Sequence, residues 1–137
     1  MSKNQCILVI GEGVADILGP TEKGYNILNC HYAVEQVTDE SGKTTPRLTN
    51  SGTVEMILPQ LPSNEIIEWG LTPGRYHDCA VLFFDEENKL LDKMILQHAA
   101  CVDFKICYAQ GEATQALTKI VLYPKKLIVS EGFEVDN

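Results

Sequence analysis

The sequence predicts a mainly β fold, an antiparallel two-sheet β-barrel or sandwich with one short α-helix. Apolar residues recur mostly at every second position, which is the period of a strand with one buried face. Clusters of Gly, Pro, Asp, Asn and Ser separate these runs at short intervals, which favours turns between neighbouring strands. With 137 residues, the chain is expected to form a single domain over residues 1–137.

Three strands are predicted in the first half of the chain. Residues 5–10 form an apolar run, residues 25–37 alternate between apolar and polar, and residues 53–58 alternate again. Residues 11–24 carry glycines and charges, so we expect a long N-terminal hairpin or loop there. Residues 38–52 begin with a polar turn cluster and contain a proline, so they are expected to form an extended loop.

One short helix is predicted before the middle of the chain. The Ser63 hydroxyl can cap it, because the first N–H groups of a helix have no internal partner. Ile66 and Trp69 lie three positions apart, so they face the same way. We expect Gly70 or Pro73 to end the helix and Ile66 and Trp69 to anchor it in the core.

The second half of the chain is predicted to be strands. Residues 76–84 end in a dense apolar run, and an acidic turn follows at residues 85–88. The turn predicts a hairpin into the next strand. The remaining predicted strands lie at residues 90–97, 102–108, 117–123 and 127–129.

The charge balance excludes several kinds of partner. Eleven Lys and Arg against 19 Asp and Glu give a net charge of -8. Nucleic acids and anionic membrane surfaces need clustered basic residues, so neither is expected as a partner. No window approaches the ~18 apolar residues of a membrane span. Residues 1–20 lack the pattern of a signal peptide, which predicts a protein made and folded in the cytoplasm.

No arrangement of residues predicts chemistry. The five cysteines are loosely spaced without a C-x-x-C pair, which is typical of reduced, buried thiols. His77 and Cys79 would share a strand face, but a zinc site usually needs two close ligand pairs. There is no G-x-S-x-G motif, and Gly11 and Gly13 are not followed by the third glycine of a dinucleotide fingerprint. We therefore expect no catalytic residue, no metal, no cofactor and no enzyme activity.

The order of the segments resembles a known family. A long strand, a polar loop, a strand, a short Trp-bearing helix and further strands follow one another between residues 24 and 130. This order is similar to that of the Hcp (TssD) tube proteins of type VI secretion systems, in the divergent form found in Bacteroidetes, which are related to phage tail-tube proteins. The segments that carry the resemblance are residues 25–32, 36–39, 41–43, 52–56, 66–69, 81–84 and 99–104.

The resemblance implies a structural role. Members of this family form hexameric rings that stack into a tube inside a contractile sheath, and the tube carries a spike and effectors. The implied partners are therefore the chain itself, sheath and spike proteins, and secreted effectors. The implied location is the cytoplasm during assembly and the outside of the cell after injection, without a signal peptide. The loop implied to reach a neighbouring subunit or ring consists of Asp39, Glu40, Ser41, Gly42, Lys43, Thr44, Thr45 and Pro46.

Other functions stay open on the sequence alone. Residues 11–24 are longer than the usual first hairpin of the family, which leaves a non-polymerising adaptor or baseplate protein as an alternative. A small-ligand-binding β-barrel would need an enclosed apolar cavity. An enzyme would need titratable groups that converge in a cleft. An immunity or adhesion module could share the same architecture, because a fold does not determine function.

Overall fold

The computed structural model describes residues 4–11, 24–38, 40–48, 52–110, 115–129 and 134–137. These residues form eleven strands and one helix. The strands are β1 (Gln5–Ile10), β2 (Tyr25–Asn26), β3 (Asn29–His31), β4 (Val34–Thr38), β5 (Thr44–Leu48), β6 (Val54–Leu58), β7 (Tyr76–Phe84), β8 (Leu90–Ala109), β9 (Gln115–Tyr123), β10 (Lys126–Val129) and β11 (Glu134–Asp136). The helix α1 (Asn64–Leu71) lies between β6 and β7.

One segment of the chain closes the main sheet into a barrel. The sheet has the order β2-β1-β7-β8-β9-β6-β3, and its pairs are antiparallel. The two end strands, β2 and β3, are consecutive in the chain. Between them, the Ile27 N–H donates to the Cys6 carbonyl at 2.9 Å and the Leu28 N–H to the Ile57 carbonyl at 2.8 Å. The segment thus joins β1 to β6, and the predicted mainly β antiparallel barrel is confirmed.

The barrel interior is filled by alternate side chains of the strands. On β6, Val54, Met56 and Leu58 are all fully buried, as the period of a strand with one inward face requires. The strands β1 and β7 are buried on both faces, which explains their nearly continuous apolar sequences. Their second faces form a separate cluster, which consists of Ile7, Val9, Ala80, Leu82 and Phe84.

The predicted helix is present and packs against β8. The Ser63 side chain accepts a hydrogen bond from the Ile66 N–H at 3.3 Å, which confirms the predicted cap. Gly70 was expected at the end of the helix but lies within it, one residue before its last. A Cβ at Gly70 would lie 3.0 Å from the Cβ of Phe104, so this glycine permits a close approach of the helix to β8.

Three predictions differ from the structure, and one strand of the structure was not predicted. Residues 25–37 form three strands, because the chain changes pairing partner from β1 to β6 and then to β5. The predicted 38–52 loop contains β5, so part of it is the second strand of a hairpin with β4. The strand β8 runs without interruption through 90–109, although His98 has a φ of 51°. The strand β11 was not predicted, since a single apolar residue gives no alternation.

The predicted 11–24 loop lies outside the described residues, apart from Gly11 and Gly24. The helix among the described residues is too short to cross a membrane.

Candidate subunit-contact surface

The hairpin formed by β4 and β5, which we call the arm, stands as a separate two-stranded sheet. Its register runs from Val34 opposite Leu48 to Thr38 opposite Thr44. Gly42 in the turn has a φ of +86°, a conformation that glycine adopts without steric cost. The arm is therefore separate from the barrel sheet and has a polar turn at residues 40–43.

The predicted contact residues occupy the end of the arm. Glu40, Ser41 and Gly42 form the turn, and they are exposed together with Lys43 and Thr44. Thr45 and Pro46 belong to β5, where Pro46 lies opposite Gln36. Proline cannot donate to a sheet ladder, so its place in a two-stranded ribbon is one where few hydrogen bonds depend on it. Asp39 lies outside the described residues.

A second contact feature is an open strand edge. One edge of β8 pairs with β7 through residues 90–100. The other edge pairs first with β10, and then with β9 through residues 100–109. On the β7 side, none of the described strands pairs with residues 101–109. Such an edge presents a row of N–H and C=O groups that can pair with a strand of another chain. The sequence did not predict this edge, because alternation indicates which face of a strand is buried and not which strands lie beside it.

The outer face of the sheet β3-β6-β9-β8 carries charged groups. Lys105 and Lys119 lie directly opposite each other, and neither has an ion-pair partner among the described residues. Like charges in this position are destabilising. On the same face, His31 Nε2 lies 2.7 Å from Glu55 Oε2. This face therefore carries charged groups among apolar ones, in contrast to the apolar barrel interior.

An aromatic strip lies beside the open edge. Tyr76 and Tyr123 flank Ala100 on neighbouring strands, and they are 48% and 41% exposed. Val102, at the register shift between β8 and β9, is 56% exposed. The Tyr76 ring stacks on His98 with centroids 4.2 Å apart. Neighbouring exposed apolar groups of this kind are common where proteins contact one another.

The two residues predicted to anchor the helix both point into the barrel. Ile66 and Trp69 are each 1% exposed. The Trp69 Nε1–H donates to the Ala99 carbonyl at 3.2 Å, and its ring meets the His77 ring edge-on at 5.1 Å. His77 is thus a half-buried aromatic partner of Trp69.

Four of the five thiols are buried or half-buried, whereas Cys107 is exposed, contrary to the expectation of buried thiols. Burial raises the pKa of Cys30 to about 12 and raises the pKa values of Cys6, Cys79 and Cys101 as well. A thiol with a raised pKa is a weak nucleophile near neutral pH, because the thiolate is the reactive form. Within the described part of the chain, no three His, Cys, Asp or Glu side chains are arranged to hold a metal ion.

The chain is therefore a closed, mainly β barrel with a separate hairpin and an open strand edge. The family model described as "Hemolysin coregulated protein Hcp (TssD)" matches residues 2–137. The chain belongs to the Hcp (TssD) family.

Solved structures share the fold. Hcp1 from Flavobacterium johnsoniae is 22% identical with a TM-score of 0.73, and the match covers 97% of this chain and 99% of that one. Hcp1 from Salmonella typhimurium is 9% identical with a TM-score of 0.67, over 97% and 91% of the two chains. A chain of the sheath-tube complex of PVC, an extracellular contractile injection system, is 14% identical with a TM-score of 0.54, over 92% and 88%. A search among curated proteins found no match.

Proposed function

We propose that six copies of this chain, a tube subunit of the Hcp family, close into a ring and that such rings stack into the inner tube of a type VI secretion system. The observation that carries the proposal is the open 101–109 edge of β8 beside a barrel that is otherwise closed. The Flavobacterium Hcp1 structure and the PVC sheath-tube complex support it through their shared fold.

The ring forms through the open edge. At about 3.3 Å per residue, residues 101–109 offer an open edge of roughly 30 Å on the side away from β9. A strand from the next copy can pair with this edge. The exposed side chains of Tyr76, Tyr123 and Val102 add apolar contact beside it. Such a contact joins two different surfaces of the same chain, so repetition with a fixed rotation closes a ring.

The arm links copies beyond the barrel contact. An isolated two-stranded hairpin is only marginally stable in water, so the arm gains stability when it packs on a neighbouring copy. Its exposed end, from Glu40 to Thr44, reaches a neighbour in the same ring or in the next ring of the stack.

The charged outer face of the sheet β3-β6-β9-β8 lines the channel of the ring. Lys105 and Lys119, which have no ion-pair partner among the described residues, then meet water or cargo. The tube assembles in the cytoplasm inside a sheath, carries a spike and effectors, and leaves the cell on contraction. In this role the chain turns over no substrate.

The test replaces Asp39-Glu40-Ser41-Gly42 by a short Gly-Ser turn. The barrel does not depend on this turn, so circular dichroism and the melting midpoint of the dissociated subunit should stay unchanged. Light scattering and negative-stain images should reveal a loss of rings or of stacks. The matched control is the double substitution Glu86→Gly and Glu87→Ser, which changes another exposed acidic turn and should leave assembly intact. Unchanged assembly in the 39–42 variant would contradict the role of the arm in the contact between copies.

A further inference from the structure

The arm needs a fixed direction to reach a neighbouring copy, and the inference that follows rests on that proposed role. The two strands of the arm pair only with each other among the described strands. Of the other described elements, β11 makes the most extensive approach to the arm, alongside β5. The direction of the arm is therefore expected to depend on how firmly β11 is held.

The strand β11 is fastened to the barrel in two ways. It pairs with β10, which itself pairs with β8. Its middle residue, Val135, is 6% exposed and belongs to the interior core. On the outer side, Lys126 Nζ lies 3.3 Å from Glu134 Oε2 and 3.8 Å from Asp136 Oδ1. These half-exposed ion pairs add little stability on their own, so Val135 is the main attachment.

Asn137 extends this attachment to the base of the arm. Its Nδ2 donates to the Gly52 carbonyl at 2.9 Å and to the Pro124 carbonyl at 2.7 Å. Its backbone N–H donates to the Lys125 carbonyl at 3.0 Å. Gly52 is the first described residue after β5 and precedes β6 by two residues, so Asn137 ties the chain between the arm and β6 to the β9–β10 turn.

Position 52 favours glycine for two reasons. Its φ of +78° favours glycine, and an added Cβ would lie 2.6 Å from Asn137 Oδ1. A contact this short requires one of the two groups to move. The Asn137 amide therefore occupies the space that a side chain at position 52 would need.

We propose that residues 134–137 act as a clasp that holds the base of the arm, with Asn137 as the positioning residue that sets the direction of the arm towards the next copy. The amide group suits this place, because both acceptors are carbonyls and its Nδ2 supplies two N–H donors. An aspartate at this position has the same shape, but its carboxylate cannot donate and repels both carbonyl oxygens.

The test compares Asn137→Ala and Asn137→Asp with the native chain and with Asn4→Ala, which changes an exposed asparagine on β1's side of the molecule. Hydrogen exchange followed by mass spectrometry reports on the arm amides, and peptides from α1 report on the barrel. Loss of two hydrogen bonds should speed exchange in the arm by about 10-fold or more, with little change in α1. Asn137→Asp should have the larger effect. Light scattering on the same samples should record weaker assembly.

The outcomes separate the clasp from the proposed function. Faster exchange in the arm together with weaker assembly supports both. Faster exchange in the arm with unchanged assembly supports the clasp but contradicts the role of the arm in assembly. Unchanged exchange in the arm of both Asn137 variants overturns the clasp, whatever the state of assembly. Equal acceleration in α1 and in the arm also overturns it, because Asn137 would then stabilise the whole fold and not the direction of the arm.

Discussion

Replacing Trp69 by alanine is expected to lower the free energy of unfolding by about 3–5 kcal/mol, the range for large buried aromatic side chains. Trp69 is 1% exposed and sits in the interior core, so truncation removes apolar contact and leaves a cavity. The bond from its Nε1–H to the Ala99 carbonyl accounts for about 1 kcal/mol of the loss. Trp69→Phe, which keeps an aromatic ring but has no N–H, should therefore cost only about 1–2 kcal/mol.

Urea unfolding followed by far-UV circular dichroism measures these losses. Trp69 is the only tryptophan of the chain, so its own fluorescence cannot serve for the variants. All samples need the same protein concentration, because association adds to apparent stability. Leu71→Ala is the control, since Leu71 lies on the same helix but is 69% exposed, and it should change stability by about 0.5 kcal/mol or less. A loss below about 1 kcal/mol for Trp69→Ala would refute the role of Trp69 as the anchor of the helix.

Two further predictions concern close packing and burial. Gly70→Ala should lower the melting midpoint although alanine is the better helix former, because its Cβ would lie 3.0 Å from the Cβ of Phe104. A raised midpoint would contradict this packing. Burial raises the pKa of Cys30 to about 12, so the folded state keeps that proton longer than the unfolded state. The free energy of unfolding in urea should fall as the pH rises from 9.0 towards about 12, and it should fall less in Cys30→Ala. An equal fall in the native chain and in Cys30→Ala would contradict the raised pKa of Cys30. At pH 8, iodoacetamide should modify the exposed Cys107 well before Cys30, and equal rates would contradict the burial of Cys30.

The fold class could be predicted because alternation and turn residues are local signals. The cap at Ser63, the inward face of β6 and the hairpin between β7 and β8 depend on neighbours in sequence, and all are present. The division of residues 25–37 into three strands could not be predicted. Alternation continues when a strand changes partner, so it carries no information on which strand lies alongside.

The contact surface was harder to predict than the fold. Its polar turn at 40–43 was visible as a cluster of turn residues. The open edge of β8 depends on where β7 begins opposite Ala100, which only the folded chain reveals. Gly70 or Pro73 was expected to end the helix. The helix ends at Leu71, two residues before Pro73, and Gly70 lies within it close to Phe104. Asn137 carried no sequence signal, because its two acceptors are distant backbone carbonyls.

The central claim is that this chain assembles into rings through the open edge and the arm. Light scattering during size-exclusion chromatography, with negative-stain images of the same fractions, measures this directly. The account predicts annular particles with six times the subunit mass of 15.2 kDa, or stacks of them. A monomer of 15.2 kDa that persists at high protein concentration, without annular particles, would contradict it.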